Sequence, residues 1–415
     1  MSPSKVLVLG NYRQTLTVIR SLAKAGYHVI VGRESKRVFT QYSRYTAEVW
    51  SHPELESSEN DFISALEKFL AARGDISFVF PVGEAEITCL MRHRDAIPPP
   101  TGFIMADPSV ISVCLDKAGG YEFAARLGIP QAPCRRVHDH AALMAAVAEI
   151  GYPCVVKPND SSRAFFGKKA LIIHTAESFA QMFPAWPEEN EFLLLQRWMP
   201  GYRHNFHFVA DRGKLLAYFE QRVLRTDRFD GTGYGVDGVS VAPNPALKTY
   251  CESLTMALDY SGAGSAQFLV DDRDGSASFL EINPRLDATC ALPYYCGYDF
   301  PRMAVLYAEY RRGTLSTPIV NFSAYPVGRR AVWLRGDILG WVHEMNTSAL
   351  NPKQIVVWLK EMTTTFFRGD YHLTWSWDDP LPTCYLFARL TKSFLRYLPG
   401  KFRFHHRPRT REESV

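Results

Sequence analysis

The sequence has 415 residues, of which 47% are hydrophobic and 22% charged, and its net charge at pH 7 is +4. A chain of this length is too long to fold around one compact core, so two or three domains are expected. The hydrophobic content lets the chain bury a large core, so it need not be disordered. The mild charge by itself points to neither nucleic acid nor a membrane, and no apolar run approaches the ~20 residues of a spanning helix.

The N-terminal stretch alternates strand and helix patterns. Apolar strands are predicted at Val6–Leu9, His28–Gly32 and Phe78–Pro81, with helical spacing over 14–25 and 62–70. Such a βαβ pattern predicts a parallel sheet. The segment after the first strand, Gly10-Asn-Tyr-Arg, lacks the G-x-G-x-x-G fingerprint, so no dinucleotide is assigned. We predict a first domain over residues 1–115.

A second unit is predicted over residues 116–315, and its strands follow one another with few helices. The helices are predicted at Lys117–Leu127 and about 246–259, and the strands at Phe192–Gln196, His204–Ala210, Leu215–Val223, Ala266–Val270 and Ser278–Ile282. Runs of strands favour a largely antiparallel sheet. The remaining residues, 316–415, are predicted as a Trp-rich extension with a basic amphipathic tail.

Two lysines are candidates for anion binding. Lys157 ends the apolar strand of Tyr152-Pro-Cys-Val-Val-Lys157, where burial would require an anion and an edge position would let it reach solvent. Lys117 begins a predicted helix, where most lysines are simply solvated. On these residues alone both alternatives stay open.

The segment Leu193–Gly201 runs from an apolar strand into a bend. Backbone groups released from a sheet at such a bend can hydrogen-bond the edge of an adenine ring, with Trp198 and Met199 as apolar neighbours. A strand end followed by an ordinary turn is the alternative.

The strongest motif is Phe279-Leu-Glu281-Ile-Asn283-Pro-Arg285. Glu281 and Asn283 point to one face because the period of a strand is two, and the preceding strand can place Gln267 beside them. This oxygen-ligand set suits Mg²⁺. Arg285 follows, where a cation can meet developing phosphoryl charge. A purely structural strand end is the alternative.

Together these motifs resemble the ATP-grasp superfamily, in its carboxylate–amine ligase branch with carbamoyl-phosphate synthetase and biotin carboxylase. The resemblance covers about residues 1–315, including Phe80-Pro-Val-Gly-Glu84 of the first domain. It implies a mixed α/β and α+β chain: an ATP-grasp fold of two lobes enclosing ATP, preceded by a Rossmann-like parallel-sheet pre-ATP-grasp domain.

The resemblance also implies a role for each site residue. Lys117 and Lys157 would bind the α- and β-phosphates, the backbone of Gln196–Met199 would hold adenine, and Arg285 would stabilise the transferring phosphoryl group. Gln267, Glu281 and Asn283 would ligate Mg²⁺ or Mn²⁺. The sequence departs from the family pattern at two places. The flap over the phosphates is usually glycine-rich, whereas here it has a single glycine, with Ser161, Ser162 and Lys169 as possible phosphate contacts. Arg197 stands where the family commonly has an acidic residue, so the contact to the ribose differs.

The implied reaction is carboxylate activation as an acyl phosphate, followed by attack of an amine and release of ADP and phosphate. Arg222, Arg225 and the glycine-rich Gly231–Gly235 are expected to face the substrate carboxylate, although surface arginines on a solvated loop are an equal alternative. A non-catalytic ATP-binding regulatory or scaffold protein and a bicarbonate-using carboxylase are the competing functions. Small-molecule or polymer-linked carboxylates and amines are the expected substrates, with no nucleic acid and an oligomer left open.

The tail offers two interpretations. Between Cys384 and Arg411 it has eight basic and no acidic residues, and Leu386, Leu390 and Phe394 recur at helical spacing. A basic amphipathic helix can lie on an anionic membrane, or it can pack its apolar stripe on the preceding domain. Because the sequence moves from its first residues directly into a predicted strand, no signal peptide is expected, and its eight scattered cysteines form no C-x-x-C pair. A cytoplasmic location is therefore expected, with the inner membrane face as the peripheral alternative.

Overall fold

A computed structural model describes residues 4–34, 37–97, 101–158, 170–187, 191–317, 324–347 and 350–397. The chain divides into two compact units. The first comprises Met1–Met105, Ala288–Val320 and Tyr371–Val415, and the second comprises Ala106–Asp287 and Asn321–Asp370. The region 316–415, predicted as one extension, is thus shared between the units.

The first unit is built on a parallel sheet, as predicted. Its strands lie in the order Glu48–Ser51, His28–Arg33, Lys5–Leu9, Ile76–Pro81 and Gly102–Phe103. Lys5–Leu9 is the central strand, and its residues from Val6 to Leu9 are fully buried. A strand covered on both faces reads as a continuous apolar run, which explains why the sequence alone identified it.

Helices and short elements complete this unit. They are the helices Arg13–Lys24, Glu59–Ala72, Glu84–Arg92, Ala291–Tyr295, Phe300–Arg311 and Leu381–Tyr397, the 3₁₀ turns Phe39–Tyr42 and Arg94–Ala96, and the strand Tyr371–His372. The first helix is followed by Gly26 at φ +91°, a left-handed conformation that glycine commonly adopts just after the end of a helix.

The start of the C-terminal helix packs inside the first unit. Leu386 is 6% exposed and belongs to one apolar cluster with Leu16 and Phe39. Tyr385 Oη donates to the carbonyl oxygen of Arg37 at 3.0 Å. The apolar side of this helix therefore has an intramolecular partner at Leu386. Residues 398–415, which hold most of the predicted basic tail, lie outside the described residues.

The second unit contains a four-stranded antiparallel sheet in the order Cys134–Val137, Leu193–Arg197, Cys154–Pro158 and Leu171–Ile173. Cys154 and Val156 are fully buried, whereas the alternating Val155 and Lys157 are half-buried. The strand period of two therefore directs Lys157 away from the apolar core. Helices Pro108–Leu115, Lys117–Arg126, His140–Ile150 and Ala176–Met182 belong to the same unit.

A larger antiparallel sheet forms the rest of this unit, as the runs of strands predicted. The strands of this sheet that belong to the second unit lie in the order Ala277–Asn283, Gly262–Val270, Tyr202–Asp211, Lys214–Thr226, Gly235–Ser240 and Arg330–Val332. The helices Pro245–Ala257, Leu334–Thr347 and Pro352–Arg368 accompany it. One face carries the fully buried Phe206, Phe208, Ala266 and Phe268, so polar residues at alternating positions face the other way.

Candidate active site

The oxygen-rich cluster predicted around Glu281 lies on the polar face of the larger sheet. Glu281 is the register partner of Gln267, and Gln267 is in turn the partner of Asn205 on the next strand. Asn283 Nδ2 donates to Glu281 Oε1 at 3.0 Å. The structure therefore brings together Gln267, Glu281 and Asn283, in the arrangement that the strand period predicted.

Glu281 is surrounded by positive charge. Burial alone would raise the pKa of its carboxyl. Lys117, the hydrogen bond from Asn283, Lys157 and Arg285 act in the opposite direction and together hold that pKa below its usual value. A buried carboxylate is favoured in its charged form only where such partners exist. Glu281 is thus available as an anionic ligand at neutral pH.

Both predicted lysines reach this cluster. Lys157 Nζ donates to Tyr121 Oη at 2.9 Å and lies 4.9 Å from the centre of the same ring. Burial lowers the pKa of Lys157, and the charge of Glu281 opposes that shift. Lys117 Nζ donates to the carbonyl oxygen of Pro158 at 3.5 Å. Lys117, Glu281 and Asn283 also line one small pocket with the end of helix Pro108–Leu115.

The predicted adenine-binding bend follows the strand Leu193–Arg197. Tyr121 Oη donates to Gln196 Oε1 at 3.4 Å, which connects the bend to Lys157 through one tyrosine. Gly201 at φ +119° closes the bend, and a Cβ there would lie 2.4 Å from the carbonyl oxygen of Val270. Only glycine fits this close approach without strain. The bend therefore has a fixed backbone path.

The side chains in the bend differ in where they point. Arg197 donates to the carbonyl oxygen of Ile150 at 2.8 Å, at the C-terminal end of helix His140–Ile150, where a cation is favourable. Trp198 is 37% exposed and Met199 half-buried. Arg197 is thus held on the helix. Ser161, Ser162 and Lys169, the predicted flap contacts, lie outside the described residues.

This chain is similar to known proteins in sequence and in fold. Residues 116–308 match the family model of the carbamoyl-phosphate synthase L chain, ATP binding domain. The mitochondrial methylcrotonoyl-CoA carboxylase subunit alpha of Glycine max is 26% identical over 196 residues, covering 44% of this chain and 26% of that protein. Residues 116–308 form an ATP-grasp domain.

Solved structures agree with this ATP-grasp assignment. A biotin carboxylase–βγ-ATP complex from Campylobacter jejuni has a TM-score of 0.60 at 17% identity, covering 79% of this chain and 74% of that one. An L-amino acid ligase from Bacillus licheniformis has a TM-score of 0.56 at 12% identity, covering 74% of each chain. These likenesses confirm the predicted fold class, an ATP-grasp fold preceded by a Rossmann-like domain. The chain spans about a quarter of the length of the Glycine max relative.

The two arginines predicted to face a substrate are placed elsewhere in this ATP-grasp unit. Arg222 follows Gln221, the register neighbour of Asn205, and therefore points to the opposite face of the sheet from Gln267. There it lies 3.8 Å from the ring centre of Tyr202 and 2.6 Å from Asp272. The structure does not bring Arg222 to the oxygen-rich cluster.

Arg225 is engaged by the C-terminal part of the same unit. Its guanidinium donates to both carboxylate oxygens of Asp337, one at 2.7 Å, and Trp358 Nε1 donates to Asp337 at 2.7 Å. Asp337 is 3% exposed. Arg225 thus forms a largely buried bidentate ion pair, in which the paired geometry offsets the cost of removing the two charges from water.

Three residues that the sequence did not single out belong to the cluster. Asp287, 5% exposed, accepts one hydrogen bond from Asn205 Nδ2 and one from Gln267 Nε2, each at 3.2 Å. Burial lowers the pKa of His207 to about 4, and the charge of Asp287 acts against that shift. Polar residues at alternate positions among the phenylalanines of strand Tyr202–Asp211 are the signal that could have revealed Asn205 and His207.

The donor set fits a hard divalent cation. The side chains of Gln267, Glu281 and Asn283 offer one carboxylate and two amide oxygens, the ligand types that Mg²⁺ accepts beside water and phosphate oxygens. Among the described residues no cluster of three or more histidine, cysteine or acidic side chains offers a second metal site. A nucleotide's phosphates would have to complete such a shell.

Proposed function

We propose that this protein is an ATP-dependent ligase that activates a carboxylate as an acyl phosphate for attack by an amine, releasing ADP and phosphate. One observation carries the proposal: Glu281 is kept ionised by Lys117, Lys157 and Arg285 while it stands beside two amide ligands. Positive side chains arranged around an ionised metal ligand can bind a polyphosphate together with its metal ion. The same arrangement suits charge neutralisation better than attack by a protein nucleophile.

In this proposal each side chain has a role. Lys117 and Lys157 bind the α- and β-phosphates, and the backbone of Gln196–Met199 holds adenine. Gln267, Glu281 and Asn283 hold Mg²⁺ or Mn²⁺, and Arg285 stabilises the phosphoryl group during transfer. The metal, when bound, would neutralise phosphate charge.

The substrate side of the proposal is less specific. Arg222 lies on the opposite face of the sheet and pairs with Asp272, and Arg225 pairs with Asp337. A substrate carboxylate at the cluster would therefore have to bind through other groups of the polar face. Small-molecule and polymer-linked carboxylates and amines are both compatible with the proposal.

The test is nucleotide analysis of a working reaction. The protein is incubated with ATP, Mg²⁺ and pooled carboxylates and amines, and the adenine nucleotides are separated by chromatography. ADP and phosphate are expected, whereas AMP and pyrophosphate would contradict the phosphoryl-transfer site. Glu281→Gln should abolish turnover. The matched control is Glu252→Gln on helix Pro245–Ala257, where the carboxylate pairs only with the surface residue Lys248 at 2.8 Å among the interactions described.

A bicarbonate-using carboxylase is the second candidate, because the ATP-grasp neighbours include a methylcrotonoyl-CoA carboxylase subunit and a biotin carboxylase. It predicts ATP-dependent incorporation of labelled bicarbonate into an acceptor, with no requirement for another carboxylate. A purely regulatory ATP-binding protein predicts nucleotide binding without ADP release under any of these conditions.

Membrane contact through the basic tail stays a prediction, as do the cytoplasmic location and the oligomeric state. None of the helices in the described ranges is long and apolar enough to cross a bilayer. Co-sedimentation with anionic vesicles, comparing the full chain with one ending at Pro382, tests the tail. Salt-sensitive binding lost on truncation would support contact, and equal pelleting would exclude it. Because Leu386 is buried against Leu16 and Phe39, the truncated protein needs a folding check.

A further inference from the structure

The buried carboxylate of Asp287 accepts hydrogen bonds from two side-chain amides, and the roles proposed above do not explain these hydrogen bonds. Asn205 Nδ2 donates to Asp287 Oδ1 and Gln267 Nε2 donates to Asp287 Oδ2, each at 3.2 Å. Asp287 is 5% exposed and Asn205 2% exposed. One carboxylate thus receives an amide N–H on each of its oxygens.

This pattern determines which end of the Gln267 amide faces Asp287. An amide has a donor end and an acceptor end, and the donor end of Gln267 is committed to Asp287. Its oxygen is therefore turned away from Asp287. Gln267 is paired in register with Glu281 on the neighbouring strand, so the free oxygen belongs to the cluster that contains the proposed metal ligands. A metal requires that oxygen, because an amide N–H₂ group cannot ligate it.

We propose that Asp287 is the positioning residue of the metal site: it holds the Gln267 amide with its oxygen toward the metal. The inference rests on the proposed function, because it assumes that Gln267 and Glu281 bind a divalent cation. Asp287 acts through Gln267 and does not itself contact the metal. Removal of a partner that orients a metal ligand typically lowers the affinity for the metal about 10–100-fold.

The test measures metal binding without turnover. Binding of Mn²⁺ to the full chain in the presence of ADP is followed by electron paramagnetic resonance of free Mn²⁺. Asp287→Leu removes both acceptors at similar volume, so the Gln267 amide is free to turn, and Mn²⁺ affinity should fall about 10–100-fold. Asp272→Asn is the control, because Asp272 lies in the exposed hairpin that follows strand Gly262–Val270 and pairs with Arg222. The Mn²⁺ affinity of this variant should equal that of the unchanged protein.

An exchange variant separates positioning from direct binding and also guards against misfolding of Asp287→Leu. In the double variant Gln267→Glu with Asp287→Asn, the net charge is preserved and the hydrogen bond is reversed. The new carboxylate presents an oxygen whichever way it turns, while the new amide can donate to it and accept from Asn205 Nδ2. Most of the lost Mn²⁺ affinity should return.

The outcomes are distinct. Unchanged affinity in Asp287→Leu, or an exchange variant that binds Mn²⁺ as weakly as Asp287→Leu, overturns the positioning role. Glu281→Gln tests the underlying site separately. If Glu281→Gln leaves Mn²⁺ binding intact, the metal site of the proposed function is wrong. If it weakens binding while Asp287→Leu does not, only the inference about Asp287 fails.

Discussion

Replacement of Lys157 by methionine is the sharpest test of the phosphate site. The ammonium group donates to Tyr121 Oη at 2.9 Å, and burial already lowers its pKa, so water screens its charge only in part. An ammonium about 4 Å from a phosphate charge contributes about 4 kcal/mol at an effective dielectric constant of about 20. Since about 1.4 kcal/mol is a factor of ten, Lys157→Met should weaken binding of a non-hydrolysable ATP analogue by about 10²–10³-fold.

The assay is isothermal titration of the full chain with that analogue and Mg²⁺, which requires no knowledge of the substrate. Lys248→Met is the matched control, because Lys248 pairs with Glu252 on the surface of helix Pro245–Ala257. Its nucleotide affinity should equal that of the unchanged protein. Unaltered affinity in a folded Lys157→Met variant would refute the phosphate assignment.

Three further predictions concern stability, measured by denaturant unfolding. Burial raises the pKa of Glu86 from 4.5 to about 7, so the folded state binds its proton more tightly and loses stability as pH rises from about 4.5 to about 7. At about 1.4 kcal/mol per pKa unit the loss is about 3 kcal/mol at pH 8 and nothing at pH 4, and Glu86→Gln should remove it. Asp337→Asn, which leaves Arg225 without its buried counter-charge, should cost about 3–5 kcal/mol, whereas Glu361→Gln, at 3.9 Å from the same arginine, should cost less than about 1 kcal/mol. Gly201→Ala should cost more than about 1 kcal/mol, because a Cβ would meet a backbone oxygen at 2.4 Å; equal stability would contradict the positive φ.

Local pattern was enough to predict much of the fold. The fully buried strand Lys5–Leu9 appears in the sequence as a continuous apolar run, and the antiparallel sheet of the second unit follows from its uninterrupted strands. The short strands Leu171–Ile173 and Arg330–Val332 were missed, because three residues carry too little periodicity to be recognised.

The candidate site was predictable only within one strand and its neighbour. Glu281 and Asn283 share a face by alternation, which any strand guarantees. The position of Asn205 opposite Gln267 depends on pairing between strands that are about 60 residues apart, and no local signal encodes that register. Asp337 lies 112 residues from Arg225, so the sequence could not show that this arginine already has a carboxylate partner.

The charges of the cluster show why an anionic ligand belongs there. Lys117, Lys157 and Arg285 all act on the carboxylate of Glu281. Counted against the two carboxylates of the cluster, Glu281 and Asp287, these three positive charges leave +1. Like charges held together in a partly buried site repel one another, and burial already disfavours the charged form of Lys157. A polyphosphate would offset that excess and oppose the lowering of the Lys157 pKa by burial. Without an anionic ligand the positive charges of the cluster are therefore not balanced, and their repulsion destabilises the folded unit. Binding of a nucleotide would offset that repulsion.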